Sequence, residues 1–215
     1  MRQDLKIAVT GSSGFVGSAL VRKLAEVGAE VIEVDLAGGI DITDWTQVKN
    51  LPRFDVLMHL AAKTFVPDSY ENPRDFYFTN VVSTMNVLEL CRQREARMVF
   101  TSSYVYGRPR RLPIDESHPL AAFNPYAQTK LIGEALCEGY HRDFDLRIVI
   151  LRPFNIYGPK QSGPFLIPTI INQAESGKIV LKDPDPRRDL LYRDDVVNAY
   201  VRAAEYTRAP FEVFN

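Results

Sequence analysis

The chain has 215 residues, 46% of them hydrophobic and 25% charged, with a formal net charge of −1. That length buries a core as one domain with room for a small lobe, and the near-neutral balance gives no electrostatic reason to expect nucleic acid or a membrane surface as partner. No stretch has the build of a signal peptide or a membrane span, and Cys91 and Cys137 share no metal-type spacing, so a soluble cytoplasmic protein with reduced thiols is expected.

In chain order, residues 5–10 (LKIAVT) form a short apolar run that ends in glycine, which predicts a buried parallel strand. Residues 14–27 place Phe15, Val16, Ala19, Leu20, Leu24 and Val27 at helical spacing, and Gly28 suits the stop. Residues 30–35 (EVIEVD) and 54–60 (FDVLMHL) predict the next two strands. A long helical pattern follows over 73–94, then a strand over 97–102, a second long helix over 123–143 and a strand over 145–151. Proline and glycine crowd the stretch after Pro153 as far as Pro186, a poor continuation of a sheet and a plausible covering for a substrate. A helix over 194–206 and a strand over 211–215 complete the pattern. Strands joined by helices imply an α/β fold, a doubly wound parallel sheet of the Rossmann type with helices on both faces. Residues 1–152 are expected to form the dinucleotide-binding domain. Residues 153–215 are expected to form a substrate-covering region interleaved with the last sheet elements. The chain stops inside an apparent strand, so a truncated C-terminal lobe is the expectation.

The glycine turn carries the first chemistry. Gly11, Gly14 and Gly17 lie between a strand and a helix, where the missing Cβ lets the backbone approach a pyrophosphate and helix-start N–H groups face its charge. A glycine triplet alone is weak evidence. Its context is stronger, because Asp35 ends the second strand, where a carboxylate accepts both ribose hydroxyls and repels a 2′-phosphate. The next residues, Leu36, Ala37, Gly38 and Gly39, include no cation to welcome that phosphate. The cofactor is therefore expected to be NAD.

The second constellation is Tyr126-x-x-x-Lys130, preceded by Ser102 at the end of its strand. Tyr126 and Lys130 are one helical turn apart and leave one face. A free phenol has a pKa near 10, and bringing it to neutrality takes roughly 4 kcal/mol of preferential stabilisation of phenolate. A lysine ammonium and a positive nicotinamide ring are suited to supply it. Ser102 is placed to hold a substrate hydroxyl beside the phenol.

Together these segments resemble the extended short-chain dehydrogenase/reductases, in the NAD-dependent epimerase/dehydratase branch acting on nucleotide sugars. The segments that carry the resemblance are TGSSGFVG (10–17), Asp35, Asp41-Ile42, HLAAK (59–63), Asn80, TSSYVYG (101–107), NPYAQTK (124–130), LRPFNIYGP (151–159) and RRDLLYRDDV (187–196). The resemblance implies that Gly11, Gly14, Phe15 and Val16 hold the pyrophosphate, Asp35 the ribose, and Asp41 with Ile42 the adenine side. Leu60, Ala61 and Ala62 would line the path to the nicotinamide, with Asn80 and Pro153 nearby. It makes Ser102, Tyr126 and Lys130 catalytic, and Ser102, Ser103, Asn155 and Arg188 contacts of a nucleotide-diphosphate sugar. A two-fold dimer through helices 73–94 and 123–143 is also implied.

Three departures from the family pattern refine the expectation. Tyr104 and Ser103 stand where dehydratases carry a glutamate and an aspartate, so no carboxylic acid is available to expel water. Residues 36–40 leave no room for the usual helix between Asp35 and Asp41. The stretch 182–186 replaces a glycine-rich turn before the Arg-Asp pair. The resulting expectation is a nucleotide-sugar 4-epimerase working through a transient 4-keto sugar, with a dehydrogenase or reductase of the same fold, or a silent NAD-binding protein, as alternatives. His59 is expected to be a packed, hydrogen-bonded core residue. His118 and His141 lack partners at metal spacing, so no metal is expected. Asp194 and Asp195 are read as helix caps.

Overall fold

The computed structural model describes residues 5–161, 163–181 and 185–215. The first half runs β1 (Lys6–Thr10), α1 (Gly17–Glu26), β2 (Glu30–Val34), a 3-10 turn (Leu36–Gly38), α2 (Trp45–Val48), β3 (Val56–His59), α3 (Val66–Glu71), α4 (Pro73–Tyr77), a π-helical turn (Phe78–Val82) and α5 (Ser83–Arg94). The second half runs β4 (Arg97–Thr101), α6 (Pro125–Phe144), β5 (Ile148–Leu151), β6 (Asn155–Tyr157), α7 (Leu166–Ala174), β7 (Leu190–Tyr192), α8 (Arg193–Glu205) and β8 (Phe211–Phe214).

Six strands form one fully parallel sheet in the order β2-β1-β3-β4-β5-β8. Alternate residues serve opposite faces. Ile7, Val9, Val56, Met58, Val99, Val149 and Leu151 pack with Leu20 and Leu24 of α1 and with Val197 and Tyr200 of α8. Ala8, Leu57, Met98, Phe100, Ile148 and Ile150 pack with Val87, Leu88 and Cys91 of α5 and Cys137 of α6. Burial on both faces is why these strands read as continuous apolar runs. The chain leaves β1 in one direction to β2 and returns to the other side at β3, so the crevice above β1 and β3 is the switch point where such sheets bind ligands.

The expected elements are present, with shifts that have local causes. Helix α1 starts at Gly17 rather than 14, because Gly11 takes φ 71° and the following residues form a turn. Strand β5 starts at Ile148 because Asp145, at φ 56°, closes α6 in the left-handed conformation. The predicted helix 73–94 is one rod of α4, the π turn and α5. Between Asp35 and β3 there is only the 3-10 turn and the four-residue α2, as the short spacing implied. Asp194 and Asp195 sit in the first turn of α8, whose N-cap is Tyr192 without a side-chain bond; they favour the helix through its dipole rather than by capping.

The short helices α2 and α3 were not anticipated, nor were α7 and a second sheet in which β6 pairs in parallel with β7. The replaced turn at Lys182, Asp183 and Pro184 lies outside the described residues. A buried ion pair, Arg152 to Glu134 at 2.6 Å, joins the end of β5 to α6, and Arg152 also donates to the Tyr106 hydroxyl at 2.8 Å.

Candidate active site

The glycine turn sits at the C-terminal end of β1. Gly11 donates to the Val34 carbonyl at 2.9 Å, and Gly14 to the Gly11 carbonyl at 3.0 Å. A Cβ on Gly11 would lie 2.8 Å from the Ala61 nitrogen, so the turn and the segment after β3 touch backbone to backbone. Helix α1 has no side-chain cap and no acidic residue in its first turn. Ser18 and Ala19 of its first turn donate to the Gly14 and Val16 carbonyls, so what fits the pyrophosphate of a dinucleotide is the positive end of the helix dipole behind a turn whose glycines leave room for close backbone approach.

Asp35 is fixed beside this turn. Its carboxylate accepts from the Ala37 N–H at 2.9 Å and the Ser13 N–H at 3.1 Å. Burial acts to raise its pKa, but these hydrogen bonds outweigh it and hold the group below the ordinary carboxylate value. An ionised carboxylate here suits two ribose hydroxyls and disfavours a phosphate. Asp41 accepts from the backbone and hydroxyl of Thr43. The Ile42 side chain belongs to the core, and its carbonyl accepts from Asn86, so only backbone at this position is available to an adenine.

Beyond β3, Leu60 and Ala61 are half-buried, each packed against one of the two cores, and Ala62 is half-buried beside them. Asn80, presented by the π turn, clamps this segment. Its Oδ1 accepts from the Lys63 N–H at 2.8 Å, and its Nδ2 donates to the Lys63 carbonyl at 3.1 Å and to the Thr129 hydroxyl at 2.9 Å. Its amide is therefore committed to protein.

At the end of β4, Ser102 is 1% exposed, and its Oγ is a buried polar atom without a hydrogen-bond partner among the described residues. Tyr126 and Lys130 share one face of α6, which packs over this strand end. The Lys130 ammonium donates to the Thr101 carbonyl at 2.9 Å, and Tyr200 donates to the Thr101 hydroxyl at 2.7 Å. Burial lowers the Lys130 pKa to about 8. Burial raises the Tyr126 phenol, and a hydrogen bond with Ser103 pulls in the opposite direction. Sequence reasoning missed Thr101 and Tyr200 because they act across 29 and 99 residues, distances no local pattern reports.

The outer wall is aromatic. Tyr104 bonds the Gly107 carbonyl and meets Phe154 edge-on at 5.1 Å. Burial raises its phenol, and the position carries no carboxylic acid. Pro153 is half-buried between β5 and β6. Asn155 donates through its side chain to the Asp189 carbonyl at 3.0 Å and so ties β6 to the segment bearing the exposed Arg188. Arg193 lies over the Phe15 ring at 5.5 Å and donates to the Pro159 carbonyl at 2.7 Å, which links the glycine turn to this outer region. His118 accepts from the Arg110 N–H, and His141 stacks on Phe211. Among the described residues, no group of three histidine, cysteine or acidic side chains is placed to hold a metal, and no helix is long and apolar enough to cross a membrane.

Known proteins carry the same framework. A UDP-glucose 4-epimerase of Lactobacillus helveticus is 30% identical over 239 residues, covering 94% of this chain and 72% of its own. A GDP-6-deoxy-D-mannose reductase of Pseudomonas aeruginosa is 31% identical over 221 residues, covering 95% and 72%. The solved structure of the Thermotoga maritima UDP-glucose 4-epimerase with UDP-glucose superimposes with a TM-score of 0.90 at 28% identity, covering 98% of this chain and 76% of that one. The model of the NAD dependent epimerase/dehydratase family matches residues 7–215, and the chain belongs to that family.

Proposed function

We propose that the protein is an NAD-dependent nucleotide-sugar 4-epimerase that inverts carbon 4 through a transient 4-keto sugar. The observation that supports this reading is at the end of β4: Ser102, whose buried Oγ has no hydrogen-bond partner among the described residues, follows Thr101, whose carbonyl accepts from Lys130 on the Tyr126 face of α6, at the same end of the sheet as the glycine turn. Gly11, Gly14, Phe15 and Val16 hold the pyrophosphate, and Asp35 the adenosine ribose. Asp41 and the backbone of Ile42 flank the adenine. Leu60, Ala61, Ala62 and Pro153 line the nicotinamide side, with Asn80 acting through the segment it clamps.

Bound in this cradle, NAD would supply a reversible hydride acceptor for carbon 4 and positive charge that favours phenolate. Tyr126 removes the proton from the carbon 4 hydroxyl and returns it to the epimer. Ser102 gives its unpartnered hydroxyl to the same oxygen. Lys130, fixed through Thr101 and lowered by burial to about 8, supplies a cation on the phenol's face of α6 at neutral pH and loses it as the solution becomes alkaline. Ser103 steadies the phenol, and Asn155 and Arg188 face the substrate diphosphate. Neither Tyr104 nor Ser103 is an acid strong enough to expel water, which separates this site from dehydration.

The Lactobacillus and Thermotoga relatives support UDP-glucose as the first substrate to test. The Pseudomonas relative supports a reductase as the second reading. Incubation with UDP-, GDP- and dTDP-sugars, with NAD or NADH added in parallel and absorbance followed at the NADH wavelength, separates them: an epimerase forms product without net NADH change, a dehydrogenase forms NADH from added NAD, and a reductase consumes added NADH when a keto sugar is supplied.

The same reading includes a two-fold dimer through α5 and α6, supported by Phe78 and Met85, which remain 49% and 44% exposed on that helical rod. It also includes a reducing, cytoplasmic setting, consistent with two free, buried cysteines.

A further inference from the structure

His59 is 1% exposed and ends β3, where it pairs across the switch point with Thr10, the residue before Gly11. Its Nδ1 lies 2.8 Å from the Thr10 hydroxyl, and its Nε2 lies 3.1 Å from the Thr84 hydroxyl on α5. The proton direction follows from the ends of this chain. Thr84 donates its hydroxyl to the Asn80 carbonyl at 2.7 Å, so it can only accept from His59. Nε2 therefore carries the proton and Nδ1 accepts from Thr10, whose oxygen in turn accepts the Ala61 N–H at 3.2 Å. Every bond runs one way, from Ala61 through Thr10, His59 and Thr84 to Asn80. Burial, assisted by the Lys130 charge, lowers the ring to about 3, which keeps it neutral.

We propose that His59 is a positioning residue: locked as the Nε2–H tautomer, it holds residues 60–62 against the Gly11 turn and so shapes the nicotinamide half of the cofactor cradle. The relay and the Asn80 clamp grip both ends of that segment, at Ala61 and at Lys63. With Gly11 in backbone contact with Ala61, a shift at the relay moves the wall of the site directly. The adenosine half, held by Asp35 just after β2, does not depend on it.

This inference rests on the cofactor reading, and its test separates the two. NADH and ADP binding are measured by fluorescence and calorimetry on the wild-type chain, Thr84→Val and Thr84→Ser. Thr84→Val breaks the relay and is expected to weaken NADH about tenfold, the equivalent of one hydrogen bond, while ADP affinity holds within about twofold. Thr84→Ser keeps the hydroxyl and is expected to bind NADH as the wild type does. Equal losses for NADH and ADP, or no loss for either, overturn the proposal while the cofactor reading stands. Failure of the wild-type chain to bind NADH overturns both. Nitrogen-15 spectra of the histidines are independent of any variant's folding. They are expected to show one ring as the Nε2–H tautomer, unmoved between about pH 5 and 8. The Nδ1–H tautomer at His59, or its titration in that range, overturns the proposal.

Discussion

Tyr126 and His59 show how the same burial serves two purposes. Burial raises the Tyr126 phenol, so the group proposed to handle the proton is neutral at ordinary pH in the cofactor-free protein, even with Lys130 on the same helix face. Tyr126→Phe is expected to lower turnover about 10²–10⁴-fold while NADH binding persists, checked by paired activity and titration measurements. For His59 the folded pKa is about 3 against 6.5 for the free side chain. The unfolded chain binds the proton first, so the stability linked to neutral His59 is fully present above about pH 6.5 and is lost as pH falls toward 3. By about pH 5 that loss is roughly 2 kcal/mol, and urea midpoints for wild type and His59→Asn should converge as the solution is acidified. Tyr126 and Lys130 could be proposed as a pair from the sequence because they stand one helical turn apart, and Ser102 because it follows a predicted strand. The commitment of Asn80 was not legible there, since its partners Lys63 and Thr129 lie 17 and 49 residues away.

Helix α6 binds the site to the sheet. It carries Lys130, Gly133, Glu134 and Cys137 on its inward side, with the half-buried Tyr126 one turn before Lys130. A Cβ on Gly133 would lie 2.5 Å from the Phe100 ring, which is 1% exposed and has no room to withdraw. Gly133→Ala is expected to cost about 1–3 kcal/mol by overpacking, despite alanine's better helix propensity, and the urea midpoint reads it. Glu134→Gln leaves the buried Arg152 without its counter-charge and is expected to cost about 3 kcal/mol in the same measurement. The long helices and the central strands were readable because their apolar residues repeat at the helical or buried-strand period. Strands β6 and β7 were not, since each has three residues and no fully buried position, too short to display a period.

The whole molecule is a sheet with two apolar faces, both covered, and the proposed site lies at the end where β1, β3 and β4 stop. Phe78 and Met85, on the rod of α4, the π turn and α5, remain exposed. Replacing both with lysine is expected to shift the protein to monomers in analytical ultracentrifugation, with the circular dichroism of the fold retained. Loss and return of one hydride at a single sugar carbon is read out with UDP-glucose carrying deuterium at carbon 4. The expected product is a 4-epimer that retains the deuterium at carbon 4, with no accumulation of reduced cofactor. Deuterium appearing in released NADH, or bound NAD with no epimer formed, would contradict the 4-epimerase reading.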